Sequence, residues 1–137
     1  MRCKKMISLF CIVACMLTMV IPAFARASDQ IDDYYMKVKS SEGQIKINFS
    51  VSGPNIMNSI GCESIYIYED NGGDWIDTKH LDEDDSGMSE GNVRRLTNTI
   101  NIGCKVGVRY KVVVTIFAED SAGRDSRQQT FYVTGAA

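Results

Sequence analysis

Hydrophobic and polar positions alternate most strictly over residues 45–51. Ile45, Ile47, Phe49 and Val51 fall on one side, and Lys46, Asn48 and Ser50 on the other. A period of two describes a β-strand with one buried face. The same rhythm returns over 108–118, where Tyr110, Val112, Val114, Ile116 and Ala118 share a face, and over 63–69, where Ile65 and Ile67 oppose Tyr66 and Tyr68. Further strands are predicted at 34–39, 75–81, 96–102 and 129–134. Asp70-Asn71-Gly72-Gly73-Asp74 between two of them reads as a tight hairpin, since Asn-Gly supplies the positive φ such turns need. Residues 40–43, 52–55 and 119–126 read as turns, and 82–92 as a polar, acidic loop. No helical period occurs after residue 27. About seven short strands joined by turns predict an all-β fold, a two-sheet antiparallel sandwich.

The first 27 residues follow another pattern. Arg2, Lys4 and Lys5 precede an apolar run over 6–21 that only Ser8 and Thr18 interrupt. Pro22 and the small residues Ala23, Ala25 and Ala27 come next. This is the order of a secretory signal peptide, an apolar helix with a cleavage site. The run of about 16 residues is short of the roughly 20 that span a bilayer. The expected organisation is a signal peptide over 1–27, a polar tail over 28–33 and one domain over 34–137, released outside the cell with no membrane contact. A minor alternative is a lipoprotein anchored through Cys15, because Ile12-Val13-Ala14-Cys15 is similar to a lipobox; the apolar residues that continue after Cys15 speak against it.

Export changes the charge. The formal net charge is −2, and loss of Arg2, Lys4, Lys5 and Arg26 with the leader takes it to −6. An acidic domain is a poor partner for nucleic acid or an anionic membrane.

The stretch Cys104-Lys105-Val106-Gly107-Val108-Arg109-Tyr110, continuing through Val114 to Ala118-Glu119-Asp120-Ser121-Ala122-Gly123, resembles the sixth-strand region of fibronectin type III and related immunoglobulin-like domains. The resemblance implies an immunoglobulin-like β-sandwich in which Tyr110 is the tyrosine corner, its hydroxyl capping nearby backbone. Val106 stands where proline is usual and Cys104 where an aliphatic residue is usual. The early-strand tryptophan is absent, with Phe49 nearest to its place. The chain is also similar to small secreted proteins of Firmicutes-type bacteria, through residues 60–69, Trp75 and residues 107–126; that likeness implies location and fold, and no catalytic residue.

Candidate chemistry is sparse. After the leader only Cys62 and Cys104 remain, and outside the cell a pair favours a disulfide. It would close a loop of about 43 residues, worth roughly 4 kcal/mol. By analogy with the fibronectin sandwich the two cysteines start at opposite ends, so two separate thiols, one in the core, are the alternative. Asp82, Asp84 and Ser86, followed by Gly87, resemble the first half of a calcium loop, with Glu90 at the ninth position. The twelfth is Val93 instead of the required glutamate. His80 is the lone histidine, and no nucleophile motif accompanies it. No cofactor is implied, and an enzyme is not expected. The expected function is a non-enzymatic binding module for an unidentified protein or carbohydrate, with Tyr66, Tyr68 and Trp75, or the loop at 82–92, as its contact surface. A bacteriocin-like effector, a calcium-stabilised module and a small hydrolase are the alternatives.

Overall fold

The structure is a computed structural model and describes residues 30–137. The expected signal-peptide helix over 1–27, and Cys15 within it, lie outside the described residues. β1 spans Asp33–Ser41, β2 Gln44–Met57, β3 Ser59–Asn71, β4 Asp74–Asp82, β5 Ser89–Glu90, β6 Val93–Gly103, β7 Arg109–Asp120 and β8 Gly123–Thr134. They form two antiparallel sheets. The first has the order β1-β2-β6. The second has the order β4-β3-β7-β8, and the short β5 continues the β4 edge by pairing with β3.

The alternation in β2 dictates how the sheets meet. Ile45, Ile47, Phe49 and Val51 are fully buried, and they pack across the sandwich against β3 and β7. From the facing sheet come Ile65 and Ile67 on β3 and Tyr110, Val112, Val114, Ile116 and Ala118 on β7. Both central strands of the second sheet are therefore apolar on their inner side, while their outer side mixes rings and polar groups: Tyr66 and Tyr68 on β3, and Lys111, Thr115 and Phe117 on β7.

β3 begins earlier than the residue pattern suggests, and the cause is a bulge. The pairing with β7 shifts between Cys62 and Ser64, leaving Glu63 as the extra residue. An extra residue reverses the parity of everything before it. Ile60 and Cys62, even-numbered, therefore enter the same core as the odd-numbered Ile65 and Ile67.

Two further departures concern segments expected to be polar. Gln30 and Ile31 are buried, and Asp32 donates its backbone N–H to the Ser52 carbonyl at 2.8 Å, so the tail leads into β1 as packed structure. The loop at 82–92 plugs the sandwich with Met88, which is fully buried. The Met88 carbonyl accepts the Cys62 N–H at 2.7 Å.

Candidate functional site

The inward turn of Ile65 and Ile67 puts Tyr66 and Tyr68 on the outer face of the larger sheet. Cross-strand register then decides their company. Tyr66 lies opposite His80 on β4, and the two rings stack 4.1 Å apart at 12°. Tyr66 and Tyr68 are 6.4 Å apart, also stacked. Tyr68 lies opposite Lys111 on β7, whose ammonium sits 4.6 Å from the Tyr68 ring centre and 5.6 Å from that of Trp75. Trp75 meets Tyr132 of β8 at 5.8 Å, and Arg109 stands 5.6 Å over the Tyr132 ring. The result is one continuous row across four strands: His80, Tyr66, Tyr68, Lys111, Trp75 and Tyr132, with Arg109 at its end. Aromatic pairs and ring-bound cations of this kind each add about 0.5–1.5 kcal/mol to a sheet. They also present flat apolar area beside charged hydrogen-bond donors.

The sequence singles out Tyr66, Tyr68 and Trp75. Trp75, however, pairs with Tyr132 and Lys111 rather than with the two tyrosines. Tyr132, 55% exposed, comes from the far edge of the sheet, and nothing in its local sequence marks it. The one available signal for Lys111 is its parity, opposite to that of Tyr110 and Val112.

Cys62 and Cys104 are both free thiols, which corrects the expected disulfide. Cys62 faces Ile116, far along β7, whereas Cys104 precedes the start of β7 at Arg109. The seven residue steps from Arg109 to Ile116 span on the order of 23 Å of strand, and a disulfide needs α-carbons within about 7 Å. The Cys62 thiol donates to the Thr115 carbonyl at 3.3 Å, and burial pushes its pKa up to about 12. Cys104 is part-exposed, 3.6 Å from the Ser40 hydroxyl, in a cleft of about 420 Å³ lined also by Glu69, Lys79 and Ile102.

The acidic loop uses its oxygens internally. Asp82 Oδ1 accepts the Asp84 N–H at 2.9 Å, and Asp85 Oδ2 accepts that of Asp82 at 2.8 Å. Glu83 accepts two hydrogen bonds from Arg124, at 2.9 and 3.0 Å. Asp82, Asp84 and Glu90 do not form a metal-ligand cluster: among the described residues no group of three or more His, Cys, Asp or Glu could hold a metal ion, and Ser86 alone adds no such group.

Arg124 is a constellation the sequence hides. Its guanidinium also meets Glu63 at 2.9 Å and Glu119 at 3.3 Å, and lies 4.1 Å over the Phe117 ring. The hydrogen bonds it donates to Glu83 are the main reason its pKa rises still further above the ordinary guanidinium value. Tyr110, 4% exposed, accepts the Lys105 backbone N–H on its hydroxyl at 2.8 Å. His80 is exposed and engaged with Tyr66.

No protein-family model matches the chain, and none of the curated proteins matches it. Among solved structures it is similar to a hypothetical protein of Pyrococcus horikoshii OT3, with a TM-score of 0.41 and 13% identity, over 77% of this chain and 94% of the other. A likeness of that size says nothing of activity.

Proposed function

We propose that the protein is an exported, non-enzymatic binding module of the immunoglobulin-like, fibronectin type III-like kind, and that its contact surface is the outer face of the β4-β3-β7-β8 sheet. The two packed antiparallel sheets, of three and five strands, and the Tyr110 hydroxyl on the Lys105 N–H support the fold kinship. The basic, apolar and small-residue order of residues 1–27 supports export. One observation carries the functional reading: the unbroken row from His80 to Tyr132 with Lys111 and Arg109 over its rings. Rings held rigidly on a sheet lose little entropy on binding, and cations beside them supply direction. A soluble oligosaccharide or an extended peptide suits such a face.

Trp75 is the sole tryptophan, so its fluorescence reports this face alone. Titration with arrayed oligosaccharides and peptides should shift Trp75 emission for at least one ligand, and Tyr132→Ala or Lys111→Ala should weaken that ligand at least about tenfold. A ligand that leaves the emission unchanged and binds both variants normally would place the contact elsewhere.

A further inference from the structure

The outer face of the smaller sheet has the opposite character. Parity on β2 turns Lys46, Asn48 and Ser50 outward. Register brings Lys39 beside Lys46, Lys37 beside Asn48 and Tyr35 beside Ser50 on the β1 side. On the β6 side it brings Asn101, Thr99 and Thr97 beside the same three residues, with Arg95 opposite Ser52 at the end. Lys37, Lys39, Arg95 and Tyr35 are exposed. The face thus carries four cations, one exposed ring and a ladder of hydroxyls and amides, with a single carboxylate, Asp33, across Ser52 from Arg95 at one end.

The charge of the molecule is segregated. β2 and β6 contain no acidic residue. Apart from Asp32, Asp33 and Glu42, every carboxylate among the described residues lies on β3, β4, β5, β7, β8 or the loops that join them. Lys39 and Lys46 stand directly opposite each other, an arrangement that destabilises a sheet by itself. Glu42, in the turn, relieves only Lys46, at 3.4 Å. A like-charge pair on an open face, compensated within the fold at Lys46 alone, is the kind of local conflict that a binding surface accounts for.

From this face we infer that the protein binds an acidic polysaccharide across β1, β2 and β6. Small-ligand sites are concave and enclosing, whereas an outer sheet face suits an extended ligand. An extended polymer can lie along the strands, with its acid groups on Lys37, Lys39, Lys46 and Arg95. Its hydroxyls meet hydroxyl and amide groups that are already ordered, since Ser50 and Thr97 hydrogen-bond at 2.8 Å and Thr99 donates to Asn48. Tyr35, 51% exposed, offers a ring for the face of a sugar. Nucleic acid fits less well. One accessible ring gives little base stacking, whereas the ordered hydroxyls and amides match the hydroxyls of a sugar chain.

The test uses the purified protein with polygalacturonate, neutral dextran and an oligothymidylate of similar length. Polygalacturonate should bind at low salt and weaken at least about tenfold at roughly 0.5 M salt. Lys37→Gln combined with Lys39→Gln should weaken it about tenfold or more, and Lys37→Arg with Lys39→Arg should restore it. Lys79→Gln, on the other sheet, should leave it unchanged. Trp75 emission should not move, which separates this face from the aromatic one. Absence of binding at low salt, equal binding of dextran, tighter binding of oligothymidylate, or normal binding by the glutamine pair would each overturn the proposal. Both pairs of substitutions are at exposed positions, and unchanged melting temperatures would confirm that the fold is intact.

Discussion

The Arg124 guanidinium lies 4.1 Å from the centre of the Phe117 ring, on the outer side of β7. Phe117 is fully buried yet outside the main core cluster, so its ring is covered on the outer side of the sheet. Arg124 closes it while tying together Glu63 of β3, Glu83 of the 82–92 loop and Glu119 of β7. One side chain thus fastens three segments that are far apart in sequence.

Arg124→Ala should therefore cost about 1–3 kcal/mol, more than an ordinary surface ion pair, because it uncovers Phe117 and leaves three neighbouring carboxylates without their cation. Urea melts of the variant and the parent check this. A loss below about 0.5 kcal/mol would mean that the cluster is merely decorative. The loss should shrink at high salt only in part, since the covering of Phe117 is not screened.

Gly61 sits at φ +151 where β3 passes under the plug formed by Met88. A methyl group there would collide with the Met88 carbonyl oxygen and come within 2.7 Å of the Ser89 α-carbon, both of them backbone. Gly61→Ala should destabilise by at least about 2 kcal/mol. Met88→Ala should cost about 2–4 kcal/mol by emptying a fully buried site. Limited proteolysis should then cut both variants first within 82–92, where the loop has lost its anchor.

These positions also show what was legible in the sequence and why the rest was not. β2 and β7 announce themselves because each keeps strict parity along its buried face. β3 conceals its first turn of pairing, since the bulge at Glu63 flips the parity that the pattern relies on. Met88 is one apolar residue in an acidic run, and a single residue has no period. Tyr66 and Tyr68 are readable from parity, whereas Tyr132 and Arg124 gain their roles from β7 pairing with both β3 and β8, a non-local fact. The expected Cys62–Cys104 bond rested on compartment and number of cysteines, and neither carries the distance along β7 that separates them.

Tyr110→Phe removes a buried hydroxyl that accepts the Lys105 N–H at 2.8 Å. The ring stays in the core, so the expected cost is that of one hydrogen bond, about 1–2 kcal/mol. Hydrogen exchange at Lys105 should accelerate out of proportion to this global loss. An unchanged rate there would assign Tyr110 a packing role alone.

The two thiols should behave as separate groups of different accessibility. Cys104 is part-exposed and should react with Ellman's reagent in the native protein, while Cys62, buried against the Thr115 carbonyl, should react only on unfolding. Burial raises the Cys62 pKa from an ordinary 9.0 to about 12. Below pH 9 both folded and unfolded states keep the proton, and the full stability is present. Between 9 and 12 the unfolded chain releases a proton that the folded protein retains, so stability falls as pH rises, by at most about 1.4 kcal/mol per pH unit from this group. Cys62→Ala should flatten that part of the decline relative to the parent in urea melts taken on either side of pH 9. An identical slope in the two proteins, or labelling of Cys62 as fast as Cys104 in the native state, would show that the thiol is not sealed in the core.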